Sequence, residues 1–282
     1  MLNPTPIITA LDYNSGKGIL PEGAFRIGAS SFVMFMDKPH QWYREKVLNE
    51  DGFIGNTSSV IGTICHYCAE CKASNREPSL TEIDNYIKNH SVSRFFPDVD
   101  TTIVKNSWKE MAMTLVNDYV LPNKRNLEEV EPFAYKELQP GYFPSGSIDR
   151  VEKVGNGTYR IVDYKTYNSS TKPKAIPMYY KYQLLIYAYI YSKSVSEVRL
   201  VYVNRAIDDR YISEKTGKAC GKIHPPEVTV LTEPVTADDL AFIESVLHLC
   251  IDTHRTSVEN PHLTYLLYRD YRLKGTINVT RN

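Results

Sequence analysis

The sequence predicts an α/β fold whose central mixed sheet is built in the order helix, three-strand meander, helix, strand, with further helices on its faces. Three observations carry this. Helical spacing dominates the half of the chain before Pro122, three alternating segments follow between Pro132 and Thr166, and Met178 to Lys193 returns to helical spacing ahead of a β-branched strand. With 282 residues, 42% of them apolar and 23% charged, the chain can bury one large core, which excludes a disordered chain and a coiled coil.

Taken in order, residues 1–25 carry Pro and Gly without periodicity and read as an irregular arm. A helix then starts near Ser30 and Ser31, passes through Phe32, Met34 and Phe35, and restarts after Pro39 with Trp42 and Tyr43. Ser58 to Ala73 reads as a helix. Ser79 and Glu82 have capping-box spacing and open another over Leu80 to His90, and Thr101 to Val120 is a longer one that Pro122 ends. Alternation marks strands over Pro132 to Leu138, Gly146 to Val154 and Tyr159 to Thr166, with Gly155-Asn156-Gly157 as a tight turn. These three segments are expected to form an antiparallel meander. Beyond the strand at Glu197 to Asn204, Asp208 to Pro226 reads as a polar loop. Val228 to Leu231 is a short strand, and Thr236 to His254 a helix with Asp238 and Asp239 in its first turn. One domain over residues 1–282 is expected, with a core at 26–204 and a C-terminal strand-and-helix extension at 205–282.

Lys plus Arg and Asp plus Glu both total 33, so a polyanion-binding surface requires local clustering of cations. No apolar run approaches the ~18 residues of a membrane span, and the first residues lack the order of a signal peptide. A cytoplasmic protein without a membrane partner is expected. Five cysteines, three of them at Cys65, Cys68 and Cys71, agree with reduced thiols. Tyrosine is in excess, at 21 against 9 Phe, which suits half-buried positions and stacking on bases alike.

The strongest local signal is Ile161-Val162-Asp163-Tyr164-Lys165-Thr166. Strand alternation places Asp163 and Lys165 on one face and turns Val162 and Tyr164 to the other. Across the turn, Asp149 in Gly146-Ser147-Ile148-Asp149-Arg150 can point to the same face, and two converging carboxylates repel unless a cation lies between them. A surface ion pair of Asp163 with Lys165, and one of Asp149 with Arg150 or Lys153, is the simpler alternative. On the predicted helix, His66 and Glu70 fall within about 40° of each other, opposite Cys68. Further on, Tyr180, Gln183, Tyr187 and Tyr191 share a helical stripe that suits either a rim site or the edge of a core.

In order and spacing, Gly62-x3-His66, Glu137, the Gly-Ser-Ile-Asp-Arg segment, Asp163-Tyr164-Lys165 and Gln183-x3-Tyr187 resemble the RecB-like exonuclease branch of the PD-(D/E)XK nuclease superfamily. Ser30-Ser31 and Pro39-x2-Trp42-Tyr43 are similar to the opening segment of that branch. The resemblance spans Arg26 to Asn204 and implies a restriction-endonuclease-like core and metal-dependent hydrolysis of DNA, with roles following residue by residue from the matched positions. It implies His66, Asp149, Asp163 and the Tyr164 carbonyl as ligands of Mg2+ or Mn2+, Lys165 as the catalytic lysine and Glu137 as an accessory acid. Gln183, Tyr187 and Tyr180 are implied to position nucleic acid, with Lys172 and Lys174 meeting phosphates. That set suits phosphodiester hydrolysis, in which a hard cation activates water and neutralises the phosphate.

Two features depart from the pattern. No C-terminal cysteine triplet accompanies Cys65, Cys68 and Cys71, so an iron–sulfur cluster is not expected. No GxxxxGK[ST] is present, so an ATP-driven helicase or recombination partner would be a separate chain. The alternative function is a nucleic-acid-binding or assembly protein that keeps the fold without cleaving.

Overall fold

A computed structural model describes residues 20–50, 55–92, 99–169 and 171–261. Most of the predicted N-terminal arm and the last 21 residues of the extension, 262–282, lie outside the described residues. The chain opens with β1 (Phe25–Gly28) and the helices α1 (Ala29–Asp37), α2 (Pro39–Lys46), α3 (Thr57–Ala73), α4 (Leu80–Val92) and α5 (Thr101–Leu115). Strands β2 (Leu127–Val130), β3 (Phe133–Tyr135), β4 (Tyr142–Ser147), β5 (Arg150–Gly155) and β6 (Thr158–Tyr167) follow, then α6 (Met178–Ile190) and β7 (Val195–Asn204). The last part comprises β8 (Ile207–Asp208), β9 (Tyr211–Ile212), β10 (Ala219–Cys220), β11 (Ile223–His224), β12 (Val228–Pro234) and α7 (Ala237–Glu259).

The main sheet has the order β12-β7-β6-β5-β2, with β6 and β7 parallel and the other neighbours antiparallel. Alternation along β6 and β7 feeds two cores. Ile161, Val198, Leu200 and Tyr202 pack towards α1, α2, α6 and α7. Val162, Tyr164, Val201 and Val203 pack on the other face, towards α3, α4 and α5. Each core includes a helix whose start is locally encoded by a capping box, α7 in the first and α3 in the second. Asn56 accepts from Ser59 N–H at 3.0 Å while Ser59 Oγ accepts from Asn56 N–H at 2.8 Å, a capping box that begins α3. Among the described residues, no helix is long and apolar enough to cross a membrane.

Five features differ from the sequence expectation. The predicted meander is split, because β3 pairs with β4 in a separate small sheet completed by β1, which runs parallel to β4. The predicted strand from Gly146 to Val154 is interrupted at Ile148 and Asp149, between β4 and β5. Strand β2 was not apparent in the sequence. Glu128 and Glu129 interrupt its apolar pattern, and they are held by Lys153 and Lys193 at the sheet edge, where charge discourages further pairing. The helix predicted to reach Val120 changes to a π-helical turn over Val116–Val120, which brings Tyr119 Oη to 3.0 Å from the buried Glu152. The fifth difference is the stretch predicted as a polar loop, Asp208 to Pro226, which contains the paired strands β8 to β11.

The Asn156-Gly157 turn behaves as its sequence indicates. Both residues take positive φ, +51° and +73°, the conformation a two-residue hairpin turn requires.

Candidate active site

The site forms where β5 and β6 diverge. Beyond Arg150, which is level with Val162, β5 no longer covers β6, and the side chain of Asp149 replaces the missing backbone partner. Asp149 Oδ2 accepts the Tyr164 N–H at 2.7 Å, which fixes the carboxylate against the strand. Its Oδ1 lies 3.3 Å from His66 Nδ1, offered by α3 from one face of the sheet. Two residues apart on β6, Asp163 and Lys165 turn to the opposite face, with Lys165 Nζ 2.5 Å from Asp163 Oδ2. Helix α6 closes that side. The Tyr180 ring lies under the Lys165 ammonium at 5.2 Å, and Gln183 Nε2 donates to Tyr187 Oη at 3.4 Å.

Crowding separates the two aspartates electrostatically. Burial pushes Asp149 up, but His66, Lys165 and the Tyr164 N–H outweigh it and hold this carboxyl below its ordinary range. For Asp163, burial and the charge of Asp149 prevail over Lys165 and push it up to about 6. Burial pulls the Lys165 ammonium down, yet the Asp163 and Asp149 carboxylates more than offset this and hold it above the usual lysine range. In the same way burial lowers His66, and the contact with Asp149 raises it further than burial lowers it. Neutral pH therefore finds a charged lysine beside a carboxylate pair of unequal basicity.

One acid at this site was missed in the sequence. Glu131 donates its N–H to the Asp149 carbonyl at 3.2 Å and takes a left-handed conformation, φ +50°. Burial pushes its carboxyl well above the ordinary range, with Asp149, Glu70 and Asp163 adding to the shift. The only local signal is the Glu131-Pro132 step, which ends β2 at the level of Asp149. Glu137 sits elsewhere: it is exposed beside the turn that joins β3 to β4, where its Oε1 accepts the Gly141 N–H at 3.1 Å. The β3–β4 register puts Phe133 opposite Ser147, so Glu137 is at the far end of this hairpin from Asp149.

The remaining residues divide clearly. Tyr164 buries its ring between His66 and Tyr119, at 5.8 Å and 6.1 Å, and the contact it makes with Asp149 is through its N–H. Lys172 pairs with Glu227 at 2.8 Å and Lys174 is exposed, both in the connection after β6 and away from the carboxylates. Cys65, Cys68 and Cys71 are free and buried in the α3 core, where burial pushes the Cys68 thiol up to about 12. Glu70, one turn beyond His66, is engaged by Arg76 at 2.6 Å.

The donor chemistry fits a hard divalent cation. Asp149 and Asp163 supply carboxylate oxygens and His66 an imidazole, and with Glu131 the acids outnumber the single Lys165 ammonium. Among the described residues, no three such side chains surround one point, since His66 and Lys165 themselves engage the carboxylates.

Two predictions follow from these contacts. A Cβ on Gly146 would stand 2.8 Å from Tyr187 Cε1, so Gly146→Ala is expected to displace this ring and cost about 1–3 kcal/mol by overpacking. Denaturant unfolding checks it, and an unchanged midpoint would show that the ring yields freely. Glu131→Gln addresses repulsion among the acids. A carboxyl raised in the folded state contributes stability that is complete below its unfolded pKa and is lost as pH rises through the folded one. In EDTA, the variant is therefore expected to melt above the wild type at pH ~8 and level with it at pH ~4. Equal melting temperatures at both values would remove Glu131 from the cluster.

An α/β sheet whose diverging strands present two aspartates and a lysine, with a histidine reaching over from a helix, offers a donor set chemically suited to metal-assisted hydrolysis. The chain belongs to the PD-(D/E)XK nuclease superfamily, whose family model matches residues 26–260. No curated protein matches it. Among solved structures it is similar to a protein of Eubacterium rectale named "Putative exonuclease", at 12% identity and TM-score 0.48, over 92% of this chain and 87% of that one. It is also similar to LHK-Exo in complex with dAMP, at 12% identity and TM-score 0.40, over 89% of this chain and 95% of that one.

Proposed function

We propose that the protein is a Mg2+- or Mn2+-dependent deoxyribonuclease of the RecB-like branch, acting as an exonuclease in recombination, repair or phage DNA metabolism. The observation that supports this reading best is the meeting of His66, Asp149, Asp163 and Lys165 at one sheet edge, drawn from α3, the β4–β5 break and β6. Asp149, Asp163 and His66 would hold the divalent ion, which when bound supplies Lewis acidity towards the phosphate and the attacking water.

The protein's own part is to hold and orient. Lys165 keeps its proton, so it donates to the attacking water or to a phosphate oxygen rather than accepting a proton. Asp149, fixed by the Tyr164 N–H, keeps the carboxylate pair from rotating apart. Burial, with the neighbouring Asp163 charge, raises the Tyr187 hydroxyl, which stays neutral and accepts from Gln183 Nε2. Preorganisation of this kind lowers the reorganisation needed when charge develops in the transition state.

The test is cleavage of linear, nicked and closed circular DNA by the purified protein, with and without Mg2+ or Mn2+. Metal-dependent loss of linear DNA with the closed circle spared is the expected result. Cleavage of the closed circle would reject the exonuclease mode, and no cleavage of any substrate would reject the nuclease reading.

A further inference from the structure

The segment between β7 and β12 is not accounted for by the catalytic edge. Its strands pair as a two-part antiparallel ribbon, Asp208 opposite Ile223 near the base and Tyr211 opposite Cys220 further out. At ~3.3 Å per residue, the arm from Ile207 to Ser213 reaches roughly 20 Å. Gly221 is needed at its middle, because a Cβ there would fall 2.1 Å from the Asp209 carbonyl oxygen and φ is +78°. The ribbon springs from the carboxyl end of the catalytic strand pair. Asn204 is level with Tyr167, two residues beyond Lys165, and the Arg205 N–H donates to the Tyr167 carbonyl at 3.0 Å.

Its surface combines two properties that the fold does not require. Tyr211, Ile212 and Ile223 are 62%, 65% and 52% exposed, although each could be polar in a ribbon that packs on no core. The ribbon and its base also carry Arg205, Arg210, Lys215, Lys218 and Lys222 against Asp208, Asp209 and Glu214, a local excess of cations in a chain whose formal charges balance overall. Two of those acids are engaged within the ribbon, Asp208 by Arg210 at 2.5 Å and Asp209 by the His224 ring at 2.9 Å. Among the described residues, Lys215 and Lys218 have no ion-pair partner, while Lys222 lies beside Asp209.

A flat exposed ring flanked by unpaired cations is complementary to a single nucleic-acid strand, which offers phosphates to the lysines and an open base face to the tyrosine. A duplex offers the phosphates but keeps its base faces stacked inside. An apolar protein partner would cover Tyr211 and the isoleucines while leaving the lysines unmatched. We propose that the Ile207–His224 ribbon is a single-strand-binding arm that stacks Tyr211 on an unpaired base of the DNA entering the site, so that single-stranded or frayed ends are the preferred substrate. This rests on the nuclease reading of the neighbouring edge.

The test uses the full chain, with a short single-stranded oligonucleotide carrying 2-aminopurine and the same sequence as a blunt duplex, in Ca2+ to hold off cleavage. Wild type is expected to bind the single strand more tightly and to change the 2-aminopurine fluorescence. Tyr211→Ala should weaken single-strand binding by roughly tenfold, the scale of one lost base stack, and abolish the fluorescence change. Duplex binding by that variant should stay near wild type, and Tyr211→Phe should restore both single-strand signals. Single-strand binding unaffected by Tyr211→Ala overturns the proposal, as does a variant whose only change is its oligomeric state by light scattering. Cleavage of the same oligonucleotide in Mn2+ separates the two readings. Tyr211-dependent binding without cleavage rejects the nuclease and keeps the arm, whereas cleavage indifferent to Tyr211 rejects the arm and keeps the nuclease.

Discussion

Replacing Asp163 by alanine is expected to lower metal-dependent DNA cleavage by at least roughly 10²–10³-fold, the scale on which one preorganised electrostatic group contributes to a rate. The same substitution is expected to leave the fold intact. Asp163 is raised to about 6 in the folded protein by burial and by Asp149, so its stabilising contribution is complete below its unfolded pKa and lost as pH rises through about 6. At pH ~8 without metal, its carboxylate opposes folding, and the variant should melt no lower than wild type. Lys165→Ala differs in kind. It should keep metal-dependent thermal stabilisation, because the proposed ligands remain, and still lose most of the rate. Measuring cleavage and melting temperature on the same preparations decides the matter, and near-normal cleavage by the Asp163 variant would sink the assignment.

The largest effect on stability is expected at Glu152. Its carboxylate is fully buried and receives Arg150 Nε at 2.8 Å, Tyr119 Oη at 3.0 Å and Arg160 Nη1 at 3.2 Å, with Arg199 Nη1 at 3.5 Å. Arg150 is itself only 1% exposed. Removing the carboxylate leaves guanidinium groups facing one another in a dry interior, a situation that costs about 3–5 kcal/mol. Glu152→Ala is expected to destabilise by this amount in denaturant unfolding, and Glu152→Gln by less, since an acceptor remains for Tyr119. A loss under ~1 kcal/mol for the alanine variant would mean that water or rearrangement satisfies the arginines. The network also bears on the site, because Arg150 follows Asp149 directly and anchors the start of β5, with its Nη2 donating to the Asn123 carbonyl at 2.7 Å.

Much of the candidate site was legible because it is encoded by short-range periodicity. Two-residue alternation places Asp163 beside Lys165, and the Asn156-Gly157 pair defines the hairpin that brings β5 back to β6. The capped α3 carries His66 on a predictable face, and the α6 stripe aligns Tyr180, Gln183 and Tyr187. Glu131 and Glu137 show where that approach stops. Both are glutamates near the start of the meander, and short-range periodicity does not distinguish them. What separates them is the pairing of β3 with β4 and the backbone contact between Glu131 and Asp149, which only the folded chain contains.

The sequence by itself determined the order of the long helices and of strands β6, β7 and β12, and the placing of Asp163 beside Lys165, since these depend on spacings of two to four residues. Tertiary structure alone decided which acid completes the cluster, that β1 joins β4 across more than a hundred residues, and that a π-helical turn delivers Tyr119 to Glu152. It also decided that an apparently polar loop pairs into a ribbon at the catalytic edge. The physical reason is common to all of these. Each is a contact between segments distant in the chain, selected by the burial and hydrogen-bond satisfaction of the whole core, and such selection leaves no periodic trace in either segment alone.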